Sequence, residues 1–296
     1  MPTLQRVAVT GSSGLVGSAL VAHLKSEGYT VQRLVRRKPV AADEVAWDPQ
    51  TGSVDLASLE GVDAIIHLAG AGVGDKRWTS KYKAEILNSR LLGTTAIANA
   101  CTALKPKVFI SASAIGFYGE TGNRAVSEED RGGDDFLAAV CREWEAAADL
   151  AVGARTVKVR TGLVLDPTGG ALGRMLPLFR FGLGGKLGPG SQWWSWITLH
   201  DEVKAITHLL DADLEGPVNL TTPNPVTNQE FTGTLARALH RPALFPVPSF
   251  ALKAALGGFS TEILGSKKVM PTKLLESGFA FDYPHLTSAL TALTAE

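Results

Sequence analysis

Arg6-Val7-Ala8-Val9-Thr10-Gly11-Ser12-Ser13-Gly14-Leu15-Val16-Gly17 passes from a valine-rich apolar run straight into three spaced glycines. From residue 15 the periodicity changes: Leu15, Val16, Ala19, Leu20, His23 and Leu24 recur three and four apart, which marks one face of a helix. Gly28 then stands where a helix C-cap belongs. Strand, glycine turn and helix start, in that order, make a cradle for a pyrophosphate. Gly11 permits the tight turn, Gly14 lets backbone approach the phosphates, and Gly17 lets the helix pack closely on the strand. The helix start adds free N–H groups and the positive end of its dipole. An ordinary glycine-rich turn is the plainer reading, but it does not require the flanking strand and helix.

Outward from the turn, residues 30–35 read as a second strand. Residues 62–69 form a nearly continuous apolar run, as expected of a strand buried on both faces. A helical stretch at 80–104 precedes a strand at 107–111, and a helix at 134–150 precedes a strand at 156–160. This alternation predicts an α/β protein with a Rossmann, doubly wound parallel sheet. Past Arg160 the texture changes. Residues 169–190 hold eight glycines, and Trp193-Trp194-Ser195-Trp196 follows. A helix at 201–210 and a strand at 217–220 return to the sheet, and Thr227 with Glu230 makes a capping-box pair. The expected division is a dinucleotide-binding domain over 1–165, rejoined by 199–222. A smaller, partly interleaved C-terminal cap comes from 166–198 and 223–296.

Across 296 residues, 29 Lys and Arg balance 29 Asp and Glu, so the formal net charge is zero. Without a global field, neither nucleic acid nor an anionic membrane is an expected partner. Hydrophobic residues make up 45% of the chain, enough for a substantial core, yet none of the apolar runs reaches the ~18 residues of a membrane span. The first residues run into Gly11 with no basic flank or long apolar core, which predicts no secretory signal. Cys101 and Cys141 are too few for a disulfide framework, so a reducing cytoplasm is the expected compartment. A small-molecule substrate is the expected partner, and a homodimer is the assembly considered.

Which dinucleotide the cradle takes is read at the end of the second strand, Leu34-Val35-Arg36-Arg37-Lys38-Pro39. NAD enzymes commonly place an acid there for the ribose 2′-hydroxyl; here no carboxylate comes before Asp43. A guanidinium grips a 2′-phosphate in a bidentate fork, where a carboxylate would repel it. NADP(H) is therefore the expected cofactor, with Arg36 and Arg37 at its 2′-phosphate. The alternative is a solvated basic loop.

Together with Asp63-Ala64-Ile65-Ile66-His67-Leu68-Ala69-Gly70, Ser111-Ala112-Ser113, Phe117-Tyr118-Gly119 and Arg160, the glycine turn resembles the extended short-chain dehydrogenase/reductase superfamily. Sugar-nucleotide epimerases and dehydratases belong to that superfamily. More narrowly, Trp47-Asp48-Pro49, Ser89-Arg90, Trp144-Glu145, Gly182-Leu183-Gly184-Gly185, Ser195-Trp196-Ile197 and Pro225-Val226-Thr227-Asn228 resemble an atypical subgroup. It is catalogued as epimerase family proteins and has a characteristic C-terminal domain. The resemblance spans nearly the whole chain and implies the fold and NADP(H) binding. It places Gly11, Ser13, Gly14, Leu15 and Val16 at the cofactor, with Leu68, Ala69, Gly70 and Ser111. Val164, beside Leu163, is placed at the nicotinamide carboxamide.

That superfamily's acid–base chemistry uses a tyrosine and a lysine four residues later, on one helix face, the ammonium lowering the phenol's pKa. None of the four tyrosines, Tyr29, Tyr82, Tyr118 and Tyr283, has a lysine at that spacing. Phe136, Leu137, Val140 and Cys141 occupy the neighbourhood instead. Ser113 matches the serine that hydrogen-bonds a substrate oxygen, with Ser111 the fallback, and Tyr118 is the remaining candidate acid.

Many members have Asn-x-x-Gly-Thr where this chain has Arg90-Leu91-Leu92-Gly93-Thr94. Arg90 is assigned to a cofactor phosphate or to ribose hydroxyls, with Glu85 nearby; a surface charge pair is the plainer reading. Nucleotide-sugar members carry an arginine where Trp194-Ser195-Trp196-Ile197-Thr198-Leu199-His200-Asp201 stands here. Losing that cation removes the direct hold on two phosphates and argues against a nucleotide sugar. Trp193, Trp194 and Trp196 alternate, placing two against the cap core and one toward a pocket. His67 reads as a core histidine, and no histidine or cysteine spacing makes a metal site. Two functions follow. One is an NADP(H)-dependent oxidoreductase or epimerase acting on an unidentified small substrate; the other is a non-catalytic NADP(H) sensor or regulatory protein.

Overall fold

The computed structural model describes residues 4–295. β1 (Arg6–Thr10) enters the glycine turn and α1 (Leu15–Ser26) leaves it, as the two periodicities predict. The N-terminal half continues with β2 (Thr30–Val35), β3 (Glu44–Asp48), β4 (Ser53–Val54), β5 (Ala64–His67) and α2 (Ser80–Leu104). β6 (Val108–Ala114), β7 (Ala125–Val126), α3 (Phe136–Ala148) and β8 (Arg155–Thr161) follow. Next come β9 (Leu163–Asp166), α4 (Gly170–Arg180), β10 (Trp193–Trp194), β11 (Trp196–Thr198), α5 (Leu199–Asp211) and β12 (Gly216–Leu220). The chain closes with β13 (Val226–Thr227), α6 (Asn228–Ala238), α7 (Ser249–Leu256), α8 (Ser260–Leu264), β14 (Lys268–Val269), α9 (Thr272–Glu276) and α10 (Leu286–Thr294).

The main sheet has the order β12-β8-β6-β5-β1-β2-β3-β4. Neighbours from β12 to β3 are parallel, and β4 at the edge is antiparallel to β3. Alternate side chains sort to its two faces. Val7, Val9, Ile66 and Val159 meet Leu20 of α1 and Ile206 of α5 on one side. Ala8, Ile65 and Phe109 meet Ile97 and Cys101 of α2 on the other. Both faces are covered, which is why these strands are apolar without alternation. A third cluster joins Leu172 and Phe179 of α4, Trp196, Phe231 and Leu235 of α6, and Leu290 of α10. That cluster is the core of the C-terminal region. β12, reached through α5, pairs with β8. Among the described residues no helix is long and apolar enough to cross a membrane.

Two stretches carry elements that periodicity does not announce. β3 and β4 lie where basic and polar residues dominate, yet Trp47 is 5% exposed and packs with Leu34 and Ile65. α4 contains Gly170, Gly173 and Pro177, all weak helix formers. It is held by burial of Leu172, Leu176 and Phe179 rather than by propensity. Helix ends are as expected: Gly28 takes φ +88° after α1, and Thr227 and Glu230 close a reciprocal capping box on α6.

A buried polar network ties the sheet to α3. Arg160 on β8 is 3% exposed and forks onto Glu145 at 2.8 and 2.9 Å. Its guanidinium stacks 3.5 Å from the Phe117 ring centre and donates to the Tyr118 hydroxyl at 2.9 Å. Tyr118 in turn donates to Asn219 of β12 at 2.7 Å, and Ser113 of β6 donates to Glu145 at 2.7 Å. Removing the cation strands a buried carboxylate, so Arg160→Ala is expected to lower the unfolding free energy by about 3–5 kcal/mol in urea titrations. Lys107→Ala, which loses only an exposed pair with Asp63, should cost ~0–1 kcal/mol. Equal losses in the two variants would show that the network carries no special weight.

Candidate functional site

The glycine turn is built by close backbone contact. Gly11 has φ +66°, and a methyl group on it would lie 2.8 Å from the Leu68 carbonyl carbon. A methyl on Gly17 would lie 2.1 Å from the Gly11 oxygen. At Gly14 the only nearby atom is that same oxygen, at 3.4 Å, so this position opens outward beside exposed Ser13. No side chain caps α1 and no acid stands in its first turn, which leaves the N–H groups around Leu15 and Val16 for an outside anion. The residues present therefore fit a dinucleotide pyrophosphate. The Leu15 side chain meets Gly169, where a methyl would sit 3.0 Å from Leu15 Cδ1.

Thr10 holds the far lip of the cradle. Its hydroxyl accepts from the N–H groups of Leu68 (3.1 Å) and Ala69 (3.3 Å) and meets His67 Nδ1 at 2.8 Å. The N–H groups of Leu68 and Ala69 are thus used within the protein, leaving carbonyls and side chains to a ligand. Burial pushes His67 down to about 3, so it stays neutral; it is a core histidine at the end of β5.

At the end of β2 the two arginines differ. Arg37 forks onto Glu44 at 2.8 and 2.6 Å. Glu44 also accepts from the N–H groups of Val40 (2.9 Å) and Ala41 (3.3 Å). Arg37, with those backbone donors, holds the Glu44 carboxyl well below the usual range. Glu44 is thereby saturated and has little capacity left for a ribose hydroxyl. Arg36 is exposed and has no hydrogen-bond or ion-pair partner among the described residues. Arg36, Arg37, Lys38 and Pro39 line one hollow with Trp47 and Asp55.

A cavity of about 620 Å³ opens at the ends of β6 and β8. Ser113, Leu137, Val140, Cys141 and Trp144 form one wall, Thr161, Gly162 and Leu163 the floor, and Trp193, Trp194 and Phe259 the far side. Ser113 gives its only hydroxyl proton to Glu145, so toward the cavity it can accept but not donate. Polarising a substrate oxygen is therefore not a role this geometry supports. Ser111 is fully buried, near the Ala112 carbonyl at 3.4 Å. Tyr118 is withdrawn as a proton donor: its hydroxyl is held by Arg160 and Asn219, and burial pushes it up to about 12. Burial likewise pushes the thiols of Cys141 and Cys101 up to about 12, so neither is an activated nucleophile.

Arg90 lines the cavity, but Glu85 does not join it. Glu85 is exposed and faces Lys76 at 3.4 Å. Leu163 reaches the cavity, while Val164 pairs in register with Ile197 and packs on the sheet core. The tryptophans divide as the alternation argument expects, Trp194 and Trp196 against the cap core and Trp193 toward the cavity. Trp196 alone is fully buried, donating to the Asn224 carbonyl at 3.2 Å. Trp193 and Trp194 both line the cavity, Trp194 also packing against Phe231. β10 and β11 pair with different strands, β13 and β9.

Two functional-looking acids escaped the sequence reading. Glu145, beside Trp144, carries no spacing that marks it as a partner of Arg160 and Ser113. Glu202, 1% exposed, accepts from the cavity-lining Thr161 at 2.7 Å, while its other oxygen has no partner among the described residues. Burial pushes Glu202 up to about 8. No spacing rule finds such a group, because the shift comes from desolvation. A raised carboxyl stabilises the fold fully below the unfolded carboxylate's range and loses that contribution as pH climbs toward about 8. Wild-type Tm minus that of Glu202→Gln should therefore fall steadily between pH 5 and 8. A flat difference would show that Glu202 ionises normally.

The NAD dependent epimerase/dehydratase family matches residues 7–221, and a domain of unknown function (DUF1731) matches residues 247–293. An epimerase family protein of Mycobacterium leprae (strain TN) is 43% identical over 292 residues, covering 97% of this chain and 95% of that one. The crystal structure of human epimerase family protein SDR39U1 (isoform2) with NADPH superposes with a TM-score of 0.91 at 34% identity. That match covers 98% of this chain and 99% of the human one. UDP-N-acetylglucosamine 4-epimerase from Bacillus cereus shares the fold at a TM-score of 0.77 and 19% identity, over 98% of each chain.

Proposed function

Because the chain belongs to the NAD dependent epimerase/dehydratase family, we propose that its dinucleotide is NADP(H) and that it acts as an oxidoreductase or epimerase on a small molecule. The observation that carries the cofactor choice is the pairing at the end of β2: Glu44 is saturated by Arg37, while Arg36 has no partner among the described residues. A 2′-phosphate suits that arrangement, since it accepts from guanidinium donors, and Asp48 and Asp55 on the same hollow are tied to the N–H groups of Gln50 and Ser58. The NADPH held by the human relative supports the same reading. On this reading the start of α1 would hold the pyrophosphate, Leu68 to Gly70 would flank it, and the backbone at Leu163 and Val164 would meet the carboxamide. The nicotinamide, when bound, supplies or accepts a hydride.

What the chain adds is a largely apolar enclosure. Leu137, Val140, Cys141 and Trp144 present hydrocarbon, indole and a protonated thiol where the superfamily keeps its tyrosine and lysine. Such a wall excludes water and orients a flat molecule, and it leaves the proton to water or to the substrate itself. The other cations on the cavity, Arg174 and Lys267, are already paired with Asp75 and Glu262, so a nucleotide sugar is not the substrate favoured. The same apolar wall favours a second reading, a non-catalytic NADP(H) sensor. The enzyme reading is placed first because the cavity extends beyond Ser113 and Leu163 to Trp193 and Phe259, giving room for a second molecule. Cytoplasmic residence goes with it, since Cys101 and Cys141 are both free and buried.

In fluorescence titrations NADPH should bind at least tenfold more tightly than NADH, about 1.4 kcal/mol. Arg36→Ala should erase most of that preference while leaving NADH binding within about twofold, because a phosphate contact is lost and nothing else. Equal affinities in the parent protein would remove the NADP(H) choice. NADPH oxidation across a panel of carbonyl and enone compounds then separates enzyme from sensor, tight binding with no turnover on any compound favouring the sensor.

A further inference from the structure

Arg90 projects from α2 into the cavity wall, and its surroundings neutralise it with dipoles alone. Its Nη1 donates to the carbonyls of Ala71 (2.9 Å) and Ile86 (3.1 Å). The guanidinium lies 4.7 Å from the Trp144 ring centre, and its stem lies along Gly70, where a methyl would sit 3.5 Å from Cγ. No carboxylate pairs with it among the described residues. The other charged groups on the cavity pair with each other, Arg174 with Asp75 at 3.4 Å and Lys267 with Glu262 at 3.0 Å. Burial pulls the Arg90 pKa down from the ordinary arginine range, yet a guanidinium stays protonated at any physiological pH. A desolvated cation without a counter-ion is unfavourable, and this one stands at a cavity.

We propose that Arg90 binds a carboxylate of the substrate, so that the cavity selects small, flat, apolar acids. This rests on the reading that the cavity holds a substrate. The donor inventory supports it. A guanidinium has five N–H bonds, and the contacts above use only Nη1, leaving Nε and Nη2 as a side-on fork that matches a carboxylate. Trp193, Trp194 and Phe259 across the cavity provide faces for a planar body, while the Trp144 face carries the guanidinium. The cofactor is the rival occupant, but its pyrophosphate has a backbone-built place at α1, and ribose hydroxyls bring no charge to offset the cation. The arrangement also moves the site's positive charge from α3, where Val140 and Trp144 stand, to the neighbouring helix α2.

Matched pairs of probes test this: benzoate against benzamide, and cinnamate against cinnamamide. Binding is measured by calorimetry on the NADPH-saturated protein and on the protein alone. The acid of each pair should bind at least tenfold more tightly than its amide, as expected for a charge-assisted fork. Arg90→Gln should bring acid and amide to within about twofold, with NADPH affinity changed less than about threefold. Arg90→Lys keeps the charge without the fork and should retain an intermediate preference; it carries the test if Arg90→Gln does not fold. No preference for either acid in the parent protein overturns the proposal, as does a preference that survives both substitutions. A tenfold loss of NADPH affinity in both variants, with the acid preference intact, assigns Arg90 to the cofactor and overturns it too. Failure of NADPH to bind the parent protein would instead strike the cofactor reading, and the titrations on the protein alone would still decide the role of Arg90.

Discussion

A fork of hydrogen bonds between Arg160 and Glu145, inside the protein, fixes the wall on which the cavity depends. Glu145 lies on α3 next to Trp144 and one turn beyond Cys141, so anchoring it to β8 sets how that helix presents its apolar face. The same carboxylate takes the proton of Ser113, which decides whether that hydroxyl donates or accepts in the cavity. Charge-assisted bonds of this kind are short and directional. They position neighbours more stringently than apolar packing does, and their loss leaves a charge with nowhere to go.

The cradle obeys a different constraint. Its shape comes from backbone meeting backbone: Gly17 against the Gly11 carbonyl, Gly11 against Leu68. Its anion donors are main-chain N–H groups. Side chains there need only stay small, whereas at the end of β2 and in the cavity they carry all the discrimination. The molecule therefore divides into a generic half that holds a pyrophosphate and a particular half that chooses which dinucleotide and which companion. Arg36 and Arg90 are cations without a carboxylate partner among the described residues at those choosing positions, one exposed and one half-buried at the cavity.

Legibility in the sequence followed the same division. The turn and α1 could be read because local chain geometry imposes glycine at close approaches and a period of 3.6 on the helix, and the central strands because cover on both faces makes them continuously apolar. β3 could not, because only Val45 and Trp47 of its five residues face the core and it is set in a polar, basic stretch where burial against Leu34 and Ile65 decides it. α4 was hidden by glycines and a proline that only tertiary burial makes tolerable. Within the site, Arg36 and Arg37 were nameable, but that one is paired and the other not depends on an acid arriving from β3. The tryptophans could be sorted because alternation puts Trp194 and Trp196 on one side, against the cap core, and Trp193 on the other. Glu202 had no signature, since desolvation is a property of the folded surroundings.

One further consequence lies in the two thiols. Cys101 sits under the sheet on α2 and Cys141 on the cavity wall of α3, each sealed from water and held protonated. Neither reacts unless the protein opens, and the two are exposed by different openings: loosening of the C-terminal cover for Cys141, disruption of the α2 face for Cys101. The chain thus carries a pair of chemical reporters at different depths, whose relative alkylation times measure how much more often the cover breathes than the sheet unfolds.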